Sequence, residues 1–436
     1  MNRKALAVSY FLFVAFAWAC GTSAIGPGGT GGGGPGGDAT APTDAEAEGE
    51  DATSDAKVAT DSGRDSGKDA GRDSIADTAP DALDALDGST DVFVQPPTPA
   101  VRYVGRVDDT DINGPRVAWA AARAIVRFDG TALEATLAHT NGLNGGPTYV
   151  DVVIDGSMQP TPILVPTGIS TFAVASGLAA GTHVVELVKR TEAQHGVLQF
   201  RGFAYPNGGQ LLAPLPAPLR RIEVLGNSVM SAYGVEGAGP VCVGGVPSVT
   251  CNSDKSAAQI AATTLGADLF LTAYAGKGIT LNVTPGDNLT LPILFDRNLP
   301  DTANSAWNFA NYVPHVFVLG IANVDIDTPE PTLTDSYEAF AIKVRGVYPA
   351  AHIMYVVNAG ATDDYPVGQM MRTKLKAMAA TVISRRKAAG DLNVSNYTMT
   401  EYTNGQLSGC DYHPNVALQA QMGAELISFL QAELGW

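Results

Sequence analysis

Ile222-Glu223-Val224-Leu225-Gly226-Asn227-Ser228-Val229-Met230 reads as a mostly apolar strand that runs into Gly-Asn-Ser. In an open α/β sheet, chemistry gathers at the carboxyl ends of strands, so Ser228 stands where a nucleophile would. Taken alone, the pattern is more often that of an ordinary turn with a helix cap. Its partners further along the chain decide between the two.

Downstream of Ser228, strand and helix alternate. Ser253 or Asp254 caps a helix running to about residue 265, and 268–273, 315–319 and 353–357 read as strands. Residues 335–347, 369–389 and 416–434 carry helical periodicity. Such alternation predicts a mostly parallel sheet with helices on both faces, over 219–436. Upstream the period is two instead, in runs at 101–107, 122–128, 133–138, 148–154, 171–175, 183–189 and 197–204, with Gly, Pro and Asn between them. Short strands at that spacing predict a β-sandwich or jelly roll over 98–210.

The remainder has neither pattern. Residues 21–37 hold ten glycines, and 21–91 carry sixteen acidic side chains against four basic ones. Such a segment buries too little apolar surface to offset its chain entropy, so 21–97 is expected to be a disordered tether. Its r.m.s. reach is roughly 50 Å. A calcium-binding repeat is the rival reading of its Asp-rich period. The chain's formal charge is −17 and no basic patch stands out, which argues against a nucleic-acid partner.

Residues 1–20 read as an export signal, with Arg3 and Lys4, an apolar run and Cys20 after the small Ala19. The run is short for a membrane span. Ala17-Trp18-Ala19-Cys20 resembles the lipobox of bacterial lipoproteins, which implies a lipid anchor at Cys20; a plain cleaved signal is the alternative. Gly21 at the second mature position is similar to lipoproteins sorted to the outer membrane. The expected location is therefore outside the cytoplasm, facing the cell surface or the periplasm. Cys242 and Cys251 lie in a Gly- and Pro-rich insertion and are expected to close a small disulfide ring, a bridge from either to Cys410 being the alternative.

Three later stretches answer Ser228. Tyr274-Ala275-Gly276-Lys277-Gly278 follows the second strand of the α/β part, where a glycine lets a backbone N–H point into a site. Leu319-Gly320-Ile321-Ala322-Asn323-Val324-Asp325 follows the third, where an Asn amide can donate to a developing oxyanion. Gly409-Cys410-Asp411-Tyr412-His413-Pro414 precedes the last helix, where His413 can take the Ser228 proton and Asp411 can hold its tautomer. Ser, Gly, Asn and His in this order are the blocks that name the SGNH hydrolases.

With Ala232-Tyr233-Gly234-Val235-Glu236-Gly237 and Trp307-Asn308-Phe309 added, the α/β part resembles carbohydrate esterase family 2. Gly114-Pro115-Arg116-Val117-Ala118-Trp119, Val152-Val153-Ile154-Asp155-Gly156 and Val185-Glu186-Leu187-Val188-Lys189-Arg190-Thr191-Glu192 resemble that family's N-terminal jelly roll. The resemblance implies removal of O-acetyl groups from polysaccharides such as xylan and glucomannan, without metal or other cofactor. It implies Ser228 as nucleophile, His413 as general base and acid, Asp411 as its orienter, and an oxyanion hole from Ser228, Gly276 and Asn323. Trp307 would wall the sugar subsite, a core aromatic being the alternative.

Two departures stand out. Asn227 replaces the family's Asp, and the third block lacks the usual Gly-Thr-Asn-Asp. Either one residue is inserted and Asn323 is the donor, or Ala322 holds the donor position and Asn323 replaces the Asp. A glycan-binding lipoprotein with weakened catalysis, and a lipase-like esterase, are the competing functions.

Overall fold

The computed structural model describes residues 101–242, 245–403 and 405–436; the expected leader, tether and Cys20 lie outside the described residues. Eleven strands make up the first part: β1 (Arg102–Val104), β2 (Arg116–Val117), β3 (Arg123–Asp129), β4 (Leu133–Thr140), β5 (Thr148–Ile154), β6 (Ser157–Met158), β7 (Ile163–Val165), β8 (Gly168–Ala175), β9 (Thr182–Lys189), β10 (Val197–Ala204) and β11 (Gln210–Leu211). One sheet runs β1-β3-β9-β5-β6, with β11 on β3 and β7 on β5; the other runs β2-β10-β4-β8. Residues along β3 and β4 alternate between buried and more exposed. Their inner faces, including Val126, Phe128, Leu133 and Leu137, share one core with Leu187 and Phe200. The result is a β-sandwich. The four strands that the period-two pattern did not predict, β2, β6, β7 and β11, are two or three residues long, too short for an alternation to register.

The second part is a five-stranded sheet of β12 (Arg220–Gly226), β13 (Ala267–Ala273), β14 (Val316–Ile321), β15 (His352–Val357) and β16 (Val394–Thr398), in the order β13-β12-β14-β15-β16. All its pairings are parallel. Every residue of β14 is buried, because helices cover both faces. Between these strands lie α1 (Ser228–Ser231), α2 (Ala257–Thr264), α3 (Leu291–Leu294), α4 (Glu330–Val347), α5 (Met371–Ala388) and, last, α6 (Val416–Leu434). Alanines of α2 and leucines of α6 pack with Val224, Val318 and Val356. On the other face α4 and α5 bring Phe340 and Leu375 against Leu225, Phe317 and Tyr355.

Some boundaries differ from the sequence reading. Ser253–Lys255 forms a separate 3-10 turn, and Ser256 is the cap of α2, accepting the Gln259 N–H at 3.1 Å. The helix α4 starts at Glu330, five residues early, with Pro331 in its first turn, where a missing N–H costs nothing. The half-polar edge strand β16 went unpredicted, since Val-Ser-Asn-Tyr-Thr carries too little apolar signal.

The two parts are joined through a buried charge. Glu223, in the middle of β12, is fully buried. Arg106 of the sandwich donates to its Oε1 at 2.7 Å, and the Tyr348 hydroxyl donates to Oε2 at 2.6 Å. Arg106 is itself fully buried, donates to the Phe295 and Arg297 carbonyls, and lies 5.1 Å from the Phe295 ring and 5.3 Å from that of Trp307. Removing one member of such a pair leaves the other charge buried alone, so Arg106→Met is expected to cost about 3–5 kcal/mol. The urea midpoint should drop accordingly; an unchanged midpoint would remove this pair from the account of stability.

Candidate active site

Ser228 opens α1, immediately past the carboxyl end of β12. Asn227 caps that turn by accepting the Val229 N–H at 3.3 Å, so the amide does the capping a carboxylate would do. Met230 then folds back over the sheet. A Cβ on Gly226 would lie 2.6 Å from its Cγ and one on Gly320 2.4 Å from the same atom. One side chain thus explains the glycines of two separate motifs. As the first residue of its helix, Ser228 has an N–H with no intrahelical partner, and among the described residues it has no other acceptor.

The strands on either side of β12 bring up the next two candidates. Gly226 is in register with Ala273 of β13, and Leu225 with Leu319 of β14, so Ser228, Gly276 and Asn323 leave the carboxyl ends of three adjacent strands. Gly276 has φ +76°, a conformation that favours glycine, and its N–H has no acceptor among the described residues. Asp325, fully within the core, accepts the N–H groups of Ile279 at 3.0 Å, Thr280 at 2.7 Å and Leu281 at 2.9 Å, together with the Tyr337 hydroxyl at 2.8 Å. A Cβ on Gly278 would come within 2.4 Å of that carboxylate. Asp325 therefore ties the loop after Asn323 to the loop after Gly276.

Asn323 begins the 3-10 turn Asn323–Asp325. Its Oδ1 is buried without a partner, and its amide makes no hydrogen bond among the described residues. An unspent amide in a partly buried position is costly unless something else uses it. Of the two alignments left open above, the geometry favours one inserted residue: the Asn323 side chain is left unpaired among the described residues, and Asp325 occupies the buried carboxylate position.

The sandwich reaches this corner through Lys189-Arg190-Thr191-Glu192. Lys189 Nζ, fully buried, donates to the Thr191 and Glu192 carbonyls at 2.9 and 3.0 Å. Arg190 donates to Asp151 at 2.9 Å, to the Cys251 carbonyl at 3.0 Å and to Glu236. Glu192 accepts the Ala275 N–H at 3.2 Å, and Gln194 donates to the Ala275 carbonyl at 2.7 Å. The residue just before Gly276 is thereby clasped by the other half of the chain. Burial raises the Glu192 pKa and lowers that of Lys189. No local signal in the sequence marked these four residues as neighbours of the site.

His413 stands on the loop before α6. Its Nδ1 lies 2.9 Å from the Cys410 carbonyl. A carbonyl can only accept, so Nδ1 carries the proton and Nε2 keeps its lone pair. Burial lowers the imidazole pKa below its usual 6.5, an effect partly offset by that carbonyl. The Tyr233 ring packs edge-on against His413 at 5.3 Å, and the Tyr233 N–H donates to the Ser228 carbonyl at 3.1 Å, which places base and nucleophile on one corner. Among the described residues no hydrogen bond joins Ser228 directly to His413; such bonds often tighten only in the reacting complex.

Three expectations are corrected. Asp411 does not orient His413. It and Tyr412 both have left-handed backbones, φ +54° and +56°, and the Asp411 carboxylate ends up exposed while the Cys410 carbonyl takes its place. The local Cys242–Cys251 ring is absent: Cys242 bonds Cys410, with Cα atoms 5.4 Å apart, and Cys251 is free and buried. Arg190 holds the Cys251 carbonyl, and its Sγ lies 3.5 Å from His195 Nε2, drawing that cysteine toward the sandwich. Trp307 is 7% exposed, packed on Phe270 at 5.8 Å and on Arg106 in the interface between the two parts. No sugar can lie on it there. Tyr412, the residue before His413 in the chain, is 43% exposed. Its place next to His413 was the signal that the sequence reading passed over.

The family model described as carbohydrate esterase 2 N-terminal matches residues 103–216. Cellulase/esterase CelE of Acetivibrio thermocellus is 32% identical over 352 residues, 78% of this chain but 40% of CelE, so the chain spans less than half the length of that relative. An acetylxylan esterase / glucomannan deacetylase of Cellvibrio japonicus is 24% identical over 345 residues, 78% of this chain and 90% of that protein. Among solved structures, a family two carbohydrate esterase from Clostridium thermocellum, in complex with cellohexaose, has a TM-score of 0.71 at 30% identity, covering 77% of this chain and 100% of its own. An active-site mutant of that esterase gives the same TM-score at 31% identity, with 78% of this chain and 99% of its own covered. With a sandwich joined to a parallel sheet and Ser, Gly, Asn and His at the expected strand ends, this chain belongs to carbohydrate esterase family 2.

Proposed function

We propose that the chain is a serine esterase that removes O-acetyl groups from polysaccharides such as xylan or glucomannan. The observation that carries the reading is the imidazole of His413, whose Nδ1 is committed to an acceptor-only carbonyl and whose Nε2 is therefore free as a base beside Ser228. Ser228 Oγ attacks the acetyl carbonyl and gives its proton to Nε2. The resulting oxyanion is met by the N–H groups of Ser228 and Gly276 and by the Asn323 amide, all three unspent within the chain. The imidazolium returns the proton to the departing sugar hydroxyl, and water then clears the acetyl-enzyme by the same route. Asn227 still caps the Ser228 turn, so this departure from the family pattern gives no ground for a binder with weakened catalysis.

Tyr412, which precedes His413 in the chain and is 43% exposed, is the aromatic on which a pyranose would stack. In the same proposal the first domain has jelly-roll connectivity. The mature protein is lipidated at Cys20, held in the outer membrane by that lipid, and turned toward acetylated polysaccharide at the cell surface or in the periplasm.

Acetate release from acetylated xylan and glucomannan is the direct measurement, with Ser228→Ala expected to abolish it; release that survives this change would rule out Ser228 as nucleophile. Asn323→Ala is expected to lower kcat about a hundred- to a thousand-fold. Asp411→Asn should leave kcat within about threefold, because an exposed charge acts weakly through solvent. For the pH profile the sign runs one way: catalysis needs neutral imidazole and burial lowers the His413 pKa, so the acidic limb of kcat should fall below pH 6.5. A limb well above that value would mean that another group controls the rate.

A further inference from the structure

The Cys410 carbonyl accepts the His413 Nδ1 proton at 2.9 Å, and Cys410 is also one end of the only disulfide among the described residues. A carboxylate orienting a histidine has its own charge to hold the proton. A neutral carbonyl must instead be held in place. Around Cys410 the fold supplies that rigidity. Its N–H donates to the Gly234 carbonyl at 2.8 Å, the Asp411 N–H donates to the Pro240 carbonyl at 2.9 Å, and the Gly409 N–H donates to the His413 carbonyl at 3.0 Å. A Cβ on Gly237 would lie 2.4 Å from the Cys410 nitrogen and one on Gly234 2.8 Å from its Cβ, so both glycines let Cys410 seat against the segment that follows Ser228. The two residues between Cys410 and His413 are in left-handed conformations that persist only where the surroundings impose them.

We propose that the Cys242–Cys410 disulfide is a positioning element for catalysis: it pins the carbonyl that fixes the tautomer and direction of His413, in the role a carboxylate has in a Ser-His-Asp triad. The inference rests on His413 being the base. The bridge closes a loop of 168 residues in sequence, from the segment after the nucleophile to the segment before the base, so it couples the two halves of the catalytic pair covalently. Without it, the strained turn at Asp411 and Tyr412 is free to relax, and Nδ1 loses a fixed acceptor.

The test uses the full chain. Cys251 shares a buried cluster with Cys410, so Cys251→Ala is the parent, which prevents a substitute bridge. Adding Cys242→Ser is expected to lower kcat at least about tenfold with KM nearly unchanged, as misplacement of a catalytic group does. The Nδ1–H resonance of His413, assigned by its absence in His413→Gln, should weaken or vanish while near-UV circular dichroism stays native. Reduction of the parent by a phosphine gives the same comparison if the serine variant does not accumulate. Unchanged kcat and an unchanged Nδ1–H signal would overturn the proposal. Loss of activity that only tracks loss of folded protein in both arms would also overturn it, leaving the bridge a general staple. Activity that survives His413→Gln in the oxidised parent would instead sink the underlying assignment of the base.

Discussion

A carboxylate at Glu223, mid-strand in the centre of a sheet, could not be tolerated by the α/β part alone. An isolated charge in that position would be left uncompensated in the core and would destabilise the strand around it. What stabilises it is Arg106, which comes from the other half of the chain and is itself held by Glu223, by two carbonyls of the α/β part and by the aromatic faces of Phe295, Trp307 and Phe309. Each half therefore carries a buried charge that only the other neutralises. The sandwich is for this reason part of the same folding unit as the sheet, and the interface is available for building a site.

The site uses it. Lys189-Arg190-Thr191-Glu192 ends β9 and crosses to the loops that follow Ser228 and β13: Arg190 reaches Glu236, and Glu192 and Gln194 take both polar groups of the Ala275 peptide. An N–H that is to stabilise a transient charge must point in one direction before the charge appears. Gly276 gains flexibility from its lack of a side chain and loses it again through the clasp on Ala275 from one side and the Asp325 carboxylate on the other. Orientation of the Gly276 N–H, the proposed oxyanion donor, is thus shared between the two halves.

How far the sequence revealed this depended on the range of the interaction. Ser228, Gly276 and Asn323 were legible because each sits within a few residues of a strand end, and strand ends are marked by local periodicity. The parallel sheet and the sandwich were legible for the same reason, apart from strands of two or three residues and the polar β16. What failed was set by groups far apart in the chain. Pairing of Cys242 depended on whether nearby Cys251 or distant Cys410 was left facing it. The burial of Trp307 depended on Arg106, 201 positions away. The role of Asp411 was lost to its own backbone: a left-handed residue turns its side chain away from where Asp-x-His spacing would send it.

The replacement of a carboxylate by a carbonyl changes what Ser228 and His413, the proposed catalytic pair, must do electrostatically. In a triad, an anion stabilises the imidazolium that forms as Ser gives up its proton. The Cys410 carbonyl offers a dipole only, with the exposed Asp411 acting weakly through space. The imidazolium is then less stabilised, and the imidazole is a weaker base, which burial weakens further. Two consequences oppose one another. Proton abstraction from Ser228 becomes harder, but a larger share of the enzyme holds neutral imidazole in mildly acidic water, and the same imidazolium is a stronger acid toward the leaving sugar hydroxyl. A sugar alkoxide is a poor leaving group, so a site that gives up some basicity for acidity loses on the attack and gains on the departure. That balance holds only if the neutral acceptor stays fixed, which is why the rigidity around Cys410 matters more here than it would beside an aspartate.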